Sequence, residues 1–226
     1  MELKTMIPLI AKTFPAAACP NWFSSLIAFL LMASAPPVEA QLLQTLFSFN
    51  GTNGASPQAA LALGSDGNFY GTTGYGGITN STRTVGMGTV FKMTTNGALN
   101  TLLFFNGTNG AWPRAVLTLG NDGIFYGTTE IGGITNTSDA SGMGTVFQGT
   151  TNGVLTTLAS FNATNGQYPM AGLTLGNDGN YYGTTMNGGL ANNGTVFRVA
   201  TNGVLTRFTG SQVAPTGGAV CRADTG

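Results

Sequence analysis

Histidine is absent from all 226 residues. That removes the commonest general base, the usual partner of a nucleophilic serine or cysteine, and the commonest metal ligand. Charge is scarce as well: 7% of residues are Asp, Glu, Lys or Arg, against about a quarter in a typical soluble domain. Eight basic residues balance eight acidic ones. No net field exists to gather nucleic acid or an anionic lipid surface. Cysteine occurs only at Cys19 and Cys221. Cys19 is expected to leave with an N-terminal leader, which would leave one thiol and no internal disulfide. Sustained helical periodicity is missing too.

What remains is apolar residues, glycine and uncharged polar side chains. Hydrophobic residues make up 42% of the chain, with 14 Phe and 35 Gly. That apolar content is enough to build a core. The Thr, Asn and Gly content suits strands and turns of an all-β protein.

The N-terminus reads as an address. Lys4 and Lys12 precede an apolar run from Trp22 to Ala33. Val38-Glu39-Ala40 then supplies small residues at the −3 and −1 positions of a signal-peptidase site. Residues 1–40 are therefore expected to be a cleaved export signal, with Gln41 as the mature N-terminus. The run is too short to span a bilayer, which takes about 20 residues. No membrane span is expected in the mature chain, and the protein is expected outside the cytoplasm or on the cell surface.

Residues 41–226 repeat. Asp66-Gly67-Asn68-Phe69-Tyr70-Gly71-Thr72-Thr73 returns from Asp122-Gly123 and again from Asp178-Gly179, at a period of 56 residues. Such self-similarity marks a repeat architecture. In the first unit, Ala59–Gly64 reads as a short strand and Ser65-Asp66-Gly67 as a hairpin turn. The turn calls for positive φ, which Gly tolerates and Asp nearly does. Strands over Asn68–Thr73, Gly88–Thr94 and Leu99–Phe105 follow, the last two joined by Thr95-Asn96-Gly97. Val90-Phe91, repeated as Val146-Phe147 and Val196-Phe197, puts apolar side chains on both faces of the sheet. A sheet of this kind must be covered on both sides.

The expected fold is thus all-β: tandem four-stranded antiparallel units of about 56 residues, β-propeller-like, as a partial or open ring. A β-solenoid stack is the alternative. Complete units fall at about 57–112, 113–168 and 169–214, with fragments at 42–50 and 215–226. Three units are fewer than the four to eight of closed propellers. An open stack, completion by a second chain and a shortened gene product all fit that count. The imperfect register of the last fragment favours the third.

These spaced motifs resemble the GloVer-type tandem repeat of bacterial "choice-of-anchor" proteins. The match is Asp-Gly-x-[Phe/Tyr]-Tyr-Gly-Thr-Thr, then Gly-Gly, then Gly-Thr-Val-Phe, then a Gly turn and a strand closing on Phe. It covers residues 42 to 224. The resemblance implies an exported, surface-associated or secreted bacterial protein with no defined biochemical activity. It also implies a C-terminal sorting signal, for which these residues offer no counterpart.

No catalytic, cofactor or metal site is expected. Asp66, Asp122 and Asp178 recur with Gly67, Gly123 and Gly179 as structural turns. Separate units hold them apart, whereas Ca²⁺ needs converging oxygens and a glycosidase needs paired carboxylates. Function is expected on the opposite rim, in the long loops Gly74–Met87 and Glu130–Met143. The corresponding loop Met186–Asn193 is six residues shorter. The residue before the linker proline is Ser56, Trp112 and Tyr168 in successive units. Trp112 beside Arg114, with Tyr168, is the candidate ligand rim, able to stack on a sugar or aromatic group. Packing beneath its own loop is the competing role for such an aromatic. Six Asn-x-Ser/Thr sequons, at Asn50, Asn80, Asn106, Asn136, Asn162 and Asn193, read as a product of composition. The expected function is an exported, non-catalytic binding scaffold for a polysaccharide or surface protein, with self-association through open blade faces. A structural spacer array and a fragment of a larger secreted propeller enzyme are the alternatives.

Overall fold

The computed structural model describes residues 43–208, except Ser138. The expected leader, both cysteines and the last fragment, 215–226, lie outside the described residues. Contacts divide the chain between Gln44 and Thr45, and every strand lies beyond that point.

Twelve strands form three four-stranded antiparallel meanders. The first sheet is β1 (Ala62–Leu63), β2 (Phe69–Thr73), β3 (Thr89–Met93) and β4 (Leu99–Phe104). The second is β5 (Thr118–Leu119), β6 (Phe125–Thr129), β7 (Thr145–Gly149) and β8 (Leu155–Ser160). The third is β9 (Thr174–Leu175), β10 (Tyr181–Thr185), β11 (Thr195–Val199) and β12 (Leu205–Arg207). The architecture is all-β and propeller-like, as the strand pattern predicts.

The Asp-Gly turn differs in type from the expectation. Gly64 N–H bonds the Asn68 carbonyl, and its own carbonyl accepts Gly67 N–H. Gly67 has φ +75°, while Asp66 stays out of the left-handed region. This is a three-residue loop with Gly at its left-handed position, so only the glycine needs positive φ. Asp66 instead accepts the Asn68 N–H on Oδ1 at 3.2 Å and the Tyr70 hydroxyl on Oδ2 at 2.8 Å. Asp122 holds Tyr126 at 2.7 Å and Asp178 holds Tyr182 at 2.8 Å in the same way. Each Asp therefore fastens its turn to the middle of the next strand.

Within a sheet, Gly71 of β2 faces Phe91 of β3. A Cβ on Gly71 would lie 2.5 Å from the Phe91 ring, and the equivalents Gly127 and Gly183 meet Phe147 and Phe197 at 2.6 Å. The ring lies across the glycine, which is why the Tyr-Gly-Thr motif carries no side chain there. A bulge in β4 opposite Val90 and Phe91 lets both residues pack, one on each face.

Units pack through a repeated interface. The leading face of unit 1, with Tyr70, Met87, Val90, Leu103 and Phe105, meets the trailing face of unit 2, with Leu117, Phe125 and Phe147. Tyr70 and Phe125 rings lie 4.2 Å apart, and Tyr126 stacks on Tyr181 at 4.0 Å in the next interface. Phe105 meets Phe147 edge-on at 5.1 Å, and Phe161 meets Phe197 at 5.0 Å. Phe49 does the same for Phe91, at 5.1 Å. The segment before unit 1 thus supplies the closing Phe of a preceding unit. Fully burying each ring contributes about 1.5–3 kcal/mol. Polar groups join in: Thr72 donates to the Ala115 carbonyl and Thr128 to that of Ala171.

Candidate functional site

The linkers between units begin with a clasp of two asparagines. Asn106 Oδ1 accepts the Thr108 hydroxyl and the Asn109 N–H, while Asn109 Oδ1 accepts Asn106 N–H. Asn50 with Asn53, and Asn162 with Asn165, repeat it. Three of the sequons therefore have a local folding role in capping this turn.

The clasp delivers the chain to Ser56, Trp112 and Tyr168, and all three have left-handed backbones, at φ 54°, 59° and 56°. Such a conformation costs about 1–2 kcal/mol for a residue with a side chain, and sequence reasoning gave no sign of it. Backbone hydrogen bonds impose it. Trp112 N–H bonds the carbonyl of Met87 in unit 1 at 2.9 Å, and Trp112 C=O accepts Glu130 N–H of unit 2 at 3.1 Å. Tyr168 is pinned likewise by Met143 and Met186. An aromatic side chain at either joint is therefore aimed by the backbone.

Trp112 is half-buried against the first core cluster. Its Nε1–H donates to the Gly86 carbonyl at 3.3 Å, and its ring meets Tyr75 edge-on at 5.5 Å. The guanidinium groups of Arg83 and Arg114 each lie 5.7 Å from the indole centroid. The aromatic thus packs under its loops and also presents an edge to solvent.

Arg114 is more committed than its sequence position suggests. Its Nε donates to Glu130, its Nη1 to Gln58 Oε1 at 2.8 Å, and its Nη2 to the Tyr75 hydroxyl at 3.1 Å. The fork ties unit 1 to unit 2, and burial opposes its charge less than Glu130 and Tyr75 favour it, so its pKa is raised. Arg83, absent from the expected rim, is half-buried at the joint between the loops. Its Nη2 donates to the Ser141 carbonyl at 2.8 Å. The two long loops are thereby bridged, and a groove of about 390 Å³ opens between them, lined by Thr82, Arg83, Trp112, Ile131, Ala140 and Ser141.

Tyr168 does not line that groove. Its hydroxyl donates to Asp139 Oδ2 at 2.6 Å, which also accepts from Gln167 at 3.2 Å. Burial works against the Asp139 charge, yet hydrogen bonds from Ser141, Tyr168 and Gln167 hold its carboxyl below the usual range. The short loop of unit 3 closes on itself, with Asn192 Oδ1 accepting Gly188 N–H at 2.8 Å. The long loops that frame a groove are those of units 1 and 2.

The turn rim is a separate place. Lys92 ion-pairs with Asp66 at 2.8 Å, and with Asn68 and Tyr70 it holds the Asp66 carboxyl well below the usual range. Asn180 and then Tyr182 lower Asp178 in the same direction. Burial, then the nearby carboxylate of Asp122, raises the Tyr126 phenol. Each acid is spent on its own tyrosine. Among the described residues no cluster of three His, Cys, Asp or Glu side chains could hold a metal ion. No helix among them is long and apolar enough to cross a membrane.

Comparison with known proteins gives a family and distant folds. A structure of streptogramin B lyase is 20% identical with a TM-score of 0.44, covering 66% of this chain and 39% of that one. A gluconolactonase from Xanthomonas campestris is 16% identical with a TM-score of 0.38, covering 65% of this chain and 44% of that one. The chain thus spans less than half the length of either. No curated protein sequence matches it. The model of the Gloeobacter/Verrucomicrobia repeat matches residues 35–226. The chain belongs to the Gloeobacter/Verrucomicrobia repeat family.

Proposed function

We propose that the protein is an exported, non-catalytic binding scaffold that holds a polysaccharide in the groove between the long loops of units 1 and 2. The observation that carries this reading is Trp112. A tryptophan occupies a left-handed backbone position where a residue such as Asn or Gly would be less strained. Strain of this kind concentrates at functional positions. The ring edge opens on a groove that also offers the hydroxyl-bearing Thr82 and Ser141 and the Arg83 guanidinium. An apolar ring edge beside a few fixed polar groups suits a ligand that carries both C–H surface and hydroxyls, as a sugar does. The nearby acids favour binding over chemistry, because Glu130 is paired with Arg114 and Asp139 with Tyr168.

The test is affinity electrophoresis of the chain against a panel of neutral and acidic polysaccharides. One of them should retard the wild type, and Trp112→Ala should lose at least about 10-fold in affinity. Because the ring is half-buried, Trp112→Ala should also lose some stability, so Thr82→Ala, at an exposed position, and Ser141→Ala, which removes only a hydroxyl, serve as folded controls. Retardation that survives all three substitutions would exclude the groove. Binding of a surface protein with no polysaccharide retarded would replace this reading.

A further inference from the structure

The joint between units 1 and 2 and the joint between units 2 and 3 both bring a long-loop side chain to the joint aromatic, and the two differ in charge. Asp139 follows Arg83 by 56 residues, as Tyr168 follows Trp112. At the second joint Asp139 Oδ2 accepts the Tyr168 hydroxyl at 2.6 Å and the Gln167 amide at 3.2 Å. The charge of that loop is therefore satisfied within the protein. At the first joint Arg83 meets Trp112 instead, 5.7 Å from the indole centroid. An indole has no counter-charge to give, since its one polar group is an N–H donor. We propose that the groove beside Trp112 takes an acidic polysaccharide, whose carboxylate or sulfate pairs with Arg83. The proposal rests on the reading of that groove as a polysaccharide site and names the class of polymer.

The charges around the groove decide which sign of ligand it suits. Of its lining residues Thr82, Arg83, Trp112, Ile131, Ala140 and Ser141, Arg83 alone is charged. The ion pairs among the described residues join Lys92 to Asp66 and Arg114 to Glu130, so no carboxylate there pairs with Arg83. Arg114 lies at the same distance from the indole, but Glu130, Gln58 and Tyr75 take its donors. Arg83 gives one hydrogen bond, from Nη2 to the Ser141 carbonyl, and its Nε and Nη1 meet no acceptor among the described residues. The acid that could oppose an anionic ligand is Asp139. It does not line the groove, and its oxygens accept from the Ser141 N–H and hydroxyl as well as from Tyr168 and Gln167.

A guanidinium fixed on one arm keeps a planar set of donors that matches the two oxygens of a carboxylate or sulfate. Arg83 is half-buried beside the apolar Trp112 and Ile131. A charge pair made in such surroundings is stronger than one made in open water. Sugar C–H surface against the indole edge and the acid group on Arg83 would then be read by neighbouring side chains.

Affinity electrophoresis of the full chain tests this with two matched pairs: polygalacturonate and its methyl ester, and dextran sulfate and dextran. In at least one pair the acidic member should bind at least about 10-fold tighter than the neutral one, as one charge-assisted hydrogen bond supplies. The pair that discriminates tells carboxylate from sulfate. Arg83→Gln keeps an amide able to donate to Ser141, and it should abolish the preference while leaving binding of the neutral member unchanged. Arg83→Lys keeps the charge without the fork and should retain part of the preference. A preference that survives Arg83→Gln would overturn the proposal, as would a variant that weakens both members of a pair alike. If neutral and acidic members bind equally and Trp112→Ala releases both, the polysaccharide site stands and its acid specificity falls. No retardation by either acidic polymer would also overturn the proposal, and the neutral polysaccharides of the wider panel then test the groove separately.

Discussion

Thr129→Val tests the buried hydroxyl pair that joins the two central strands of unit 2. Thr129 ends β6 opposite Thr145 of β7, and neither residue is exposed. The Thr129 hydroxyl donates to the Ile131 carbonyl at 2.9 Å, accepts Thr145 N–H at 3.2 Å and lies 2.8 Å from the Thr145 hydroxyl. Valine keeps the shape and removes all three contacts. The Ile131 carbonyl still accepts Ala111 N–H, so its loss is small. The Thr145 amide and hydroxyl lose a partner in a fully buried site, at about 1–3 kcal/mol each. The sum, less the gain from an added methyl, is about 2–4 kcal/mol. With a urea slope of about 2 kcal/mol per molar, the midpoint should fall by about 1–2 M. Thr129→Ser keeps the hydroxyl and loses one methyl, so it should cost only about 1 kcal/mol. The double variant Thr129→Val/Thr145→Val should cost less than the sum of the singles, by about 1 kcal/mol, because the hydroxyl pair is then removed whole. Urea melts followed by circular dichroism give all four values. A Thr129→Val midpoint within 0.3 M of wild type (roughly 0.6 kcal/mol at that slope), or a serine variant as weak as the valine one, would refute the reasoning.

Other consequences follow from the same contacts. Gly127→Ala should cost about 1–3 kcal/mol, since its Cβ would lie 2.6 Å from Phe147, and Phe147→Leu should recover part of that loss. Gly123→Ala meets nothing within 4 Å but keeps φ +74°, so only the left-handed strain remains, about 1 kcal/mol in the same melt. Tyr70, Tyr126, Tyr168, Tyr181 and Tyr182 all have raised phenol pKa values. Their contribution to stability is full below about pH 10 and is lost as pH rises through the folded values. Absorbance at the phenolate band should therefore lag a free-tyrosine titration and rise steeply as the sheets open. Asp139 has the opposite sign: its pKa is lowered, so its stabilisation is present above about pH 4 and is lost as pH falls through the folded value. Asp139→Asn should flatten the acid limb of the unfolding midpoint against pH, and an unchanged limb would exclude the Tyr168 clasp as its source.

The fold was legible because its instructions are local and repeated. Asp-Gly and Asn-Gly turns, alternation in the strands and the paired apolar residues Val90 and Phe91 each state part of a four-stranded sheet, and the period of 56 residues states it three times. The second role of Asp66 was also written in the sequence, as an Asp four residues before a Tyr in every unit. It was hidden because the turn alone accounts for an Asp-Gly. The backbone of Trp112 was not legible. Its left-handed φ is set by Met87 and Glu130, which reach it across two loops, and a residue before proline gives no local reason for that conformation. Arg83 was missed for a similar reason. Only when units 1 and 2 are packed does its loop meet Ser141, and only then does the cation come to lie over the indole. The rim named from sequence therefore included one groove residue, Trp112, while Arg114 proved to be a tie between units and Tyr168 part of the next joint.

Trp112 offers its own reporter. With Trp22 replaced by Phe, it is the sole tryptophan of the full chain, so its emission reads the groove directly. Titration with a polysaccharide retained in affinity electrophoresis should give a saturable shift in that emission, with a midpoint equal to the affinity measured by retardation. A polysaccharide that binds this chain without altering the Trp112 emission would contradict the assignment of the groove.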